Sequence, residues 1–425
     1  MNDNESHLCS ETRGMFAEHH TKHAMPVSEL FITTPKLLTP FLEEEVRALG
    51  YTPTGVQTAG VSLMGDMNDA MRLNLHLRCA HRVLFPLLSC VATSAEDVYD
   101  HAVRFAWEDV LPVDGYFSVV SSVDTPSIRN SQYANVKLKD AVVDRLRRVY
   151  GKRPDTGPLT NAAVLFLYWK QSSCIVYLDT SGVPLSRRGY RVISQQAPLN
   201  EVLAAAIVKA SRWTPDEVFV NPMCGSGTLA IEAALAGTNT PSQFLRTNFG
   251  FMHTRLFDGK SWNEMRSTSM AAVSKRPLSI IATDHKVSAV HATRKNATAA
   301  GILDMMDVRV SEFRATPVPE GTGVVILNPE YGERMGAISH LEELYSQIGD
   351  WFKKSCTGKR AYVFTGNVDL AKKVGLRTSR RIPMYNGDIE CRLCEYEMYQ
   401  GTKRVSEAPT SDTAGSLSTP ESTHE

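Results

Sequence analysis

The stretch VFVNPMCGSGTLAIEAAL, residues 218–235, combines an apolar run, a tight loop with two glycines and a segment with helical spacing. The apolar run predicts a buried strand over residues 218–220, and a helix is expected to start near Thr228. The loop between them, residues 224–228, then stands at the carboxyl end of a strand, where ligands bind in open α/β sheets. Glycines let a ligand approach the backbone closely, so this loop predicts a site for a planar or anionic group.

Three classes of ligand compete for this loop. A phosphate-binding P-loop requires GxxxxGK[ST], and no lysine follows these glycines. A dinucleotide site is harder to exclude, because GSGTLA fits the loose form GxGxx(G/A). A nicotinamide site expects an acid about twenty residues further on, whereas the next clear strand, LSIIATD, ends much later at Asp284. Asp284 can still bind a ribose, in S-adenosylmethionine as well as in NAD; the alternative is that it only caps the helix near Val287.

A second sheet-edge turn, in VVILNPEYGER at residues 324–334, decides between these ligands. An exocyclic amine on a nucleobase is a poor nucleophile, because its lone pair is delocalised into the ring. The Asn328 side-chain oxygen and the Pro329 carbonyl can accept from its two N–H groups and aim the lone pair at a methyl donor. Tyr331 can stack on the base. The pair of turns therefore favours methyl transfer to a base amine.

The rest of the chain predicts two or three domains. Strands alternate with helices from about residue 200 to Tyr399, which predicts a parallel sheet wrapped by helices, whereas residues 28–93 read as a small α+β unit. Formal net charge is zero, but residues 129–191 carry twelve Lys or Arg against four acids. This local excess can neutralise phosphates, and the alternative is an ordinary solvated helix face.

Several features limit the environment and the chemistry. No run of eighteen apolar residues offers a membrane span, and the first residues lack a secretory signal, so a cytoplasmic protein with reduced cysteines is expected. Cys391 and Cys394 fall in DIECRLCEYEMY, which reads as a strand; residues three apart on a strand point to opposite faces, so a metal site is disfavoured. The segment before Pro26 and the Ser/Thr-rich segment after Gln400 are expected to be disordered.

Seven ordered blocks between about Leu30 and Tyr399 carry a family resemblance: KLKDAVVDRLR, LDTSGVPLSRRGYR, APLNEVLAAA, NPMCGSGTLAIEAA, ATDHKVSAVHATRKNATAAG, NPEYGER and MYNGDIECRL. With them the sequence resembles THUMP-domain class I RNA methyltransferases, specifically those similar to bacterial 23S ribosomal RNA (guanine-N2) methyltransferases. The resemblance implies an α/β fold. A Rossmann-like methyltransferase domain with a mostly parallel seven-stranded sheet would follow an α+β ferredoxin-like and THUMP RNA-binding module. The expected divisions are a disordered tail (1–27), a ferredoxin-like segment (28–93), a THUMP domain (94–182), the methyltransferase domain (183–400) and a second disordered tail (401–425).

The resemblance also implies the roles of individual residues. Cys224, Gly225 and Gly227 would line the methionine end of S-adenosylmethionine, Asp284 its ribose and Glu312 its adenine, with Asn221, Met223 and Thr228 completing the site. Asn328, Pro329, Glu330 and Tyr331 would bind the extruded base, and Lys137, Lys139, Arg187 and Arg188 the RNA, although Arg187 and Arg188 could instead brace the domain junction. The family usually has Asp at the position of Asn221, which can still accept from the cofactor's amino group, and a second proline at Glu330.

The activity implied is direct methyl transfer to guanine N2 in ribosomal RNA, with RNA as partner and neither a metal nor a membrane required. Glu330 could accept from guanine N1–H, which adenine lacks, or could face solvent. A second hypothesis is an adenine-N6 methyltransferase acting on RNA or DNA. A third is an RNA-binding ribosome-assembly factor whose cofactor pocket is degenerate, and a dehydrogenase is the least favoured.

Overall fold

The computed structural model describes residues 27–128, 130–195, 198–332 and 338–399. The predicted disordered tails therefore lie outside the described residues, apart from Val27. The amino-terminal elements are β1 (Ser28–Thr33), α1 (Thr39–Ala48), β2 (Pro53–Gln57), β3 (Gly60–Gly65), α2 (Met67–His76), β4 (Arg82–Val91), α3 (Ala95–Ala102), β5 (Tyr116–Asp124), α4 (Ser131–Tyr150), β6 (Asp155–Thr156), β7 (Ala163–Lys170) and β8 (Ser173–Asp179). The carboxyl-terminal elements are α5 (Glu201–Ala210), β9 (Val218–Pro222), α6 (Thr228–Gly237), α7 (Gly259–Ala271), β10 (Ile280–Asp284), α8 (Val287–Ala299), β11 (Met306–Val310), β12 (Gly323–Leu327), α9 (Ile338–Ser355), β13 (Lys359–Thr365), α10 (Val368–Lys373), β14 (Arg380–Asn386) and β15 (Ile389–Glu397).

The amino-terminal elements share one eight-stranded sheet, ordered β2-β3-β1-β4-β8-β7-β5-β6. Strand β4 joins its two halves, because β4 pairs with β1 near its start and with β8 along the rest of its length. The β4–β8 register shifts between Pro86 and Leu88, as expected where proline cannot donate to the ladder. The segments predicted as the ferredoxin-like unit and the THUMP domain thus contribute strands to one continuous sheet.

The carboxyl-terminal elements form a seven-stranded sheet, ordered β11-β10-β9-β12-β13-β15-β14. Strands β9 to β13 are parallel to one another, and β15 is antiparallel to both β13 and β14. Every residue of β9, β10 and β12 is buried, as expected for a parallel sheet covered on both faces. The predicted Rossmann-like fold with a mostly parallel seven-stranded sheet is confirmed.

The chain reverses direction within this sheet between β9 and β12. From β9 it runs outward through β10 to β11, and it then returns to the other side of β9 as β12. Such a reversal leaves a crevice outside the carboxyl ends of the two central strands, which is where α/β sheets of this kind bind ligands. The fold therefore places the loops after β9 and β12 on either side of that crevice.

Arg188 connects the two parts of the molecule and is buried, with only 1% of its surface exposed. Its guanidinium pairs with Glu232 of α6 at 3.4 Å and donates to the Arg78 carbonyl of the amino-terminal module at 2.5 Å. It also donates to the Leu185 carbonyl at 2.7 Å. The assignment of Arg188 to RNA contact is therefore wrong, because its donors are used inside the protein; it braces the domain junction.

Candidate active site

The two sheet-edge turns lie side by side. Strands β9 and β12 pair with Val220 opposite Val325, and the Asn221 side-chain amide donates to the Ile326 carbonyl at 2.9 Å. Asn328 is the first residue after β12, and Met223 is the first residue after the neighbouring strand β9. Adjacent strands are about 4.8 Å apart, so the glycine loop and the Asn-Pro turn face the same crevice.

The glycine loop is held from neighbouring strands and helices. The Gly225 N–H donates to the Asp284 carboxylate at 3.0 Å, and the Gly225 carbonyl accepts from the Thr293 hydroxyl at 2.9 Å. The Cys224 N–H donates to the Thr283 carbonyl at 2.9 Å. The loop is therefore tied to both β10 and α8 before any ligand binds.

The two glycines of the loop serve different purposes. Both have left-handed φ, 58° at Gly225 and 82° at Gly227. A Cβ at Gly227 would lie 2.6 Å from Thr293 Cγ2, so glycine is needed there for α8 to pack. A Cβ at Gly225 would meet no atom within 4 Å. Gly225 therefore faces the open crevice, where a ligand can approach the backbone.

Two residues that support the loop were not predicted from the sequence. The Arg191 guanidinium donates to the Ser226 hydroxyl at 3.1 Å and pairs with Glu201 of α5 at 2.8 Å. The Asn296 amide donates to the Ser226 carbonyl at 3.0 Å and accepts from the N–H of Val192 at 2.9 Å. Both lie within conspicuous sequence blocks, PLSRRGYR and TRKNATAAG, but neither block indicates by itself which polar residue reaches the loop.

The two acids predicted for the ribose and the adenine end neighbouring strands. Asp284 is only 7% exposed; besides Gly225 it accepts from the Lys286 N–H at 2.9 Å, immediately before α8. Glu312 follows β11, and the Ser311 N–H donates to the Asp284 carbonyl at 3.0 Å. The Glu312 carboxylate itself accepts from the Arg314 N–H at 2.8 Å. Asp284 thus both orders the start of α8 and holds the glycine loop.

The remaining predicted cofactor residues also lie at this edge. Met223 has a left-handed φ of 54°, and Thr228 is the buried first residue of α6. The Cys224 thiol contacts the Thr293 hydroxyl at 3.5 Å, and burial raises the pKa of Cys224 to about 12. A thiol with such a pKa is protonated at neutral pH, so Cys224 is a packing residue rather than a nucleophile.

The Asn-Pro turn presents an unpaired acceptor. Asn328 Oδ1 is buried and has no hydrogen-bond partner within the described part of the chain. Pro329 is buried behind it, and the Tyr345 hydroxyl lies 3.5 Å from the Glu330 carbonyl. Tyr331 is half-buried, and its hydroxyl accepts from the Asn386 amide at 2.9 Å.

Glu330 points away from this buried turn. Its side chain is 81% exposed and forms an ion pair with Lys286 at 3.4 Å. Lys286 follows Asp284, so the pair connects the turn after β12 with the turn after β10. Both sequence-based alternatives for Glu330 remain open, because an exposed carboxylate beside the crevice can still accept from a bound base.

Asn221 supplies a second unpaired acceptor at the same edge. Its Oδ1 is buried and, among the residues that the structure describes, finds no partner. More than nine in ten buried polar groups are hydrogen-bonded in native proteins, so two such acceptors flanking one crevice indicate where ligand donors bind. Asn221 fits an amino group, Asp284 fits ribose hydroxyls and Gly225 leaves space beside them. These residues fit S-adenosylmethionine.

The residues predicted to contact RNA lie in or near the amino-terminal module. Lys137 pairs with Glu96 at 3.1 Å, and Lys139 lies 3.5 Å from Asp140. Arg187 is exposed, unlike Arg188. Part of the basic excess in the sequence is therefore neutralised by acids of the same module.

Two other sequence-based expectations concern the whole chain. Cys391 and Cys394 lie on β15 as predicted, and they pack into different clusters on opposite faces of the sheet. Over the described ranges, no three His, Cys, Asp or Glu side chains are grouped so that they could hold a metal ion. No helix in those ranges is both long and apolar enough to cross a membrane.

Three family models match the chain. The RlmL ferredoxin-like domain matches residues 29–84, the THUMP domain residues 92–179 and the RMKL-like methyltransferase domain residues 188–395. A putative RNA methyltransferase of Synechocystis, slr0064, is 32% identical over 87% of this chain and 96% of its own length. The ribosomal RNA large subunit methyltransferase K/L of Psychromonas ingrahamii is 34% identical over 92% of this chain. The chain spans about half the length of that relative, 53%.

Two solved structures share the fold over nearly all of their length. The putative methyltransferase SMU.472, complexed with SAH, has a TM-score of 0.80 and 26% identity over 88% of this chain and 99% of its own. A predicted N6-adenine-specific DNA methylase from Listeria monocytogenes has a TM-score of 0.80 and 29% identity over 88% of this chain and 97% of its own. Together with the family models and the relatives, these structural similarities show that the chain belongs to the THUMP-domain RNA methyltransferases with an RMKL-like methyltransferase domain. The cofactor of this family is S-adenosylmethionine, which the residues at the crevice fit.

Proposed function

We propose that this protein methylates the exocyclic N2 amine of a guanine in large-subunit ribosomal RNA. The observation that carries the proposal is Asn328 Oδ1, which is buried, has no hydrogen-bond partner among the described residues and lies at the same sheet edge as Gly225, where a Cβ would meet open space. A base amine has two N–H groups, and an acceptor in this place holds one of them. To place its amine at Asn328, the base must leave the base stack of the RNA, as in other enzymes that modify bases.

The chain's own residues then perform three tasks. Asn328 Oδ1 and the Pro329 carbonyl accept from the amine and orient its lone pair toward the glycine loop. Tyr331 stacks on the base. Asp284 and Asn221 hold S-adenosylmethionine, which supplies an electrophilic methyl group when it is bound. Cys224 takes no covalent part, because its buried thiol has a pKa of about 12.

The choice of guanine depends on Glu330 in this proposal. A carboxylate can only accept, and guanine N1–H is a donor at the ring position where adenine has an acceptor. Glu330 belongs to the proposed base-binding turn, and its carboxylate forms an ion pair with Lys286. The relatives named as ribosomal RNA methyltransferases favour ribosomal RNA as the substrate, whereas the name of the Listeria structure favours adenine-N6 as the second candidate.

In this proposal the amino-terminal module binds the RNA, and Lys137, Lys139 and the nearby Arg187 are among the contacts. The reaction takes place in the cytoplasm.

We expect Arg187→Gln to weaken RNA binding a few-fold without changing stability, because the side chain is exposed. Arg188→Gln should instead lower the free energy of unfolding by about 3–5 kcal/mol, because it leaves Glu232 buried without its partner. Filter binding and denaturant unfolding measure the two effects, and an equal loss of RNA affinity in both variants would contradict the division of roles.

The direct test is nucleoside mass spectrometry. Unmodified large-subunit ribosomal RNA is incubated with purified protein and S-adenosylmethionine carrying a deuterated methyl group, and the nucleosides are then separated. We expect labelled N2-methylguanosine. Labelled N6-methyladenosine would support the second candidate, and binding of S-adenosylmethionine without any labelled nucleoside would count against both.

A further inference from the structure

The Tyr331 ring is placed by residues outside its own turn. Its edge packs on the Gly366 backbone at the end of β13, where a Cβ would lie 2.8 Å from Tyr331 Cε2. The same Cβ would lie 2.9 Å from Ile389 Cγ2, so Ile389 of β15 borders the same space. Gly366 and Ile389 therefore border one edge of the ring and hinder its rotation, while the hydroxyl end is held by other contacts.

The hydroxyl group of Tyr331 is contacted by two side chains, of which Asn386 is the nearer. The Asn386 amide, at the end of β14, donates to Tyr331 Oη at 2.9 Å, and the Cys391 thiol lies 3.9 Å from the same oxygen. Burial raises the pKa of Tyr331 to about 12, although the hydrogen bond from Asn386 acts in the opposite direction. The neutral hydroxyl accepts from Asn386 under ordinary conditions.

The hairpin itself does not require asparagine at this position. Asn386 pairs with Ile389, and Gly387 and Asp388 form the two-residue turn between them. Gly387 has a left-handed φ of 61°, as a hairpin with glycine at its first turn position requires, whereas Asn386 remains in the extended strand. The amide side chain is used instead in its hydrogen bond to Tyr331.

We propose that Asn386 is a positioning residue for the target base: its amide holds the hydroxyl end of Tyr331, and with the ring edge against Gly366 this places the ring to stack on a base bound by Asn328. This inference rests on the proposed function and deepens it by assigning the β14–β15 hairpin to the wall of the base pocket. Asn386 acts only through Tyr331 and touches neither the base nor the cofactor. A stacking platform aligns a base only when its ring plane is defined, so loss of the amide should reduce alignment rather than cofactor binding.

The experiment compares Asn386→Leu with Asp388→Leu, a change of similar size at an exposed residue of the same turn. With unmodified large-subunit ribosomal RNA, we expect Asn386→Leu to lower kcat about tenfold. Its affinity for S-adenosylmethionine, measured by calorimetry, should not change, and Asp388→Leu should match wild type in both measurements. Asn386→Asp should restore most of the rate, because its carboxylate accepts from the Tyr331 hydroxyl. A loss of cofactor affinity in Asn386→Leu, or no rescue by Asn386→Asp, would overturn the proposal.

Tyr331→Phe isolates the contact. In that background the hydroxyl is absent, so adding Asn386→Leu should produce no further loss of kcat, whereas an independent structural role would make the two losses multiply. A fluorine resonance from 3-fluorotyrosine at position 331 reports the contact without any turnover. It should move in Asn386→Leu and not in Asp388→Leu. If wild type methylates no guanine amine, the proposed function fails, while an unmoved resonance in Asn386→Leu would refute the positioning role by itself.

Discussion

The glycine loop and the Asn-Pro turn lie at one sheet edge but are built differently. The glycine loop is tied by three side chains from two elements, since Asp284 of β10 and Thr293 and Asn296 of α8 are all bonded to its backbone. In the Asn-Pro turn, by contrast, Asn328 Oδ1 finds no partner among the described residues, and the exposed Glu330 carboxylate pairs only with Lys286 at the surface within the same part of the chain. Under the proposed function, the glycine loop, here called the cofactor seat, is formed before S-adenosylmethionine binds. The Asn-Pro turn, here called the base seat, is completed only when the substrate base binds.

The largest effect is expected at the base seat. Asn328→Ala removes the acceptor that orients the amine, so turnover should fall by about 100-fold or more. Affinity for S-adenosylmethionine, measured by calorimetry, should remain within about twofold, because Asn328 does not hold the cofactor in this account. Asn221→Ala is the matched change at the cofactor seat and should do the reverse, weakening cofactor binding first. Turnover that survives Asn328→Ala would show that the orienting role is wrong.

The glycines of the cofactor seat should respond unequally. Gly227→Ala places a Cβ 2.6 Å from Thr293 Cγ2 at a left-handed φ, so the free energy of unfolding should fall by about 1–3 kcal/mol. Thr293→Ser removes that methyl group, keeps the hydroxyl bonded to Gly225, and should recover part of the loss. Gly225→Ala shares the cost of a left-handed φ but meets no protein atom, so it should destabilise the fold less and mainly weaken cofactor binding. Denaturant unfolding and calorimetry separate the two effects, and equal destabilisation would contradict the assignment of Gly225 to the ligand side.

Glu330 should affect the choice of base rather than the rate. We expect Glu330→Gln to reduce the preference for guanine over adenine about tenfold, since an amide can donate where the carboxylate only accepts. Lys286→Gln removes the ion pair but leaves that acceptor, so it should keep the preference. The measurement is competition between matched RNAs with guanine or adenine at the modified position. An unchanged preference in Glu330→Gln would mean that this side chain only faces solvent.

The smallest effect is expected at Cys224. Cys224→Ala should change turnover by less than about threefold, because a thiol whose pKa burial raises to about 12 is not a nucleophile near neutral pH. The rate of wild type should correspondingly show no inflection near the ordinary thiol pKa, about 8.5. A rate profile measured from pH 6.5 to 9.5 checks both statements, with Asn328→Ala as the inactive reference.

The local pattern of apolar residues and glycines in the sequence was enough to predict most of the sheet edge that carries the two turns. The strands ending at Asp284 and before Asn328, and the helix beginning at Thr228, are where apolar runs and glycines placed them. Contacts between distant segments could not be predicted in the same way. Pattern does not show that Asn386 reaches Tyr331 or that Arg191 reaches Ser226, because these pairs depend on how β14 and the segment before α5 fold back.

Charge was the least informative feature of the sequence. The local excess of positive charge over residues 129–191 was equally consistent with RNA contact and with a solvated helix face. Two neighbouring arginines in this segment have opposite environments. Arg187 is exposed, whereas Arg188 is buried against Glu232. A net charge counts side chains but does not reveal which acids lie within reach, and those acids come from α3 and α6 as well as from the basic segment itself.

The adjacency of the two seats is the central claim, and one ligand tests it. A bisubstrate compound joins the adenosyl and amino-acid parts of the cofactor to guanine N2 through a two-carbon linker at the position of sulfur. By calorimetry, wild type should bind it at least about tenfold more tightly than S-adenosylhomocysteine, because the second contact becomes intramolecular. Asn328→Ala should lose that gain. Binding no tighter than S-adenosylhomocysteine in wild type would contradict the account.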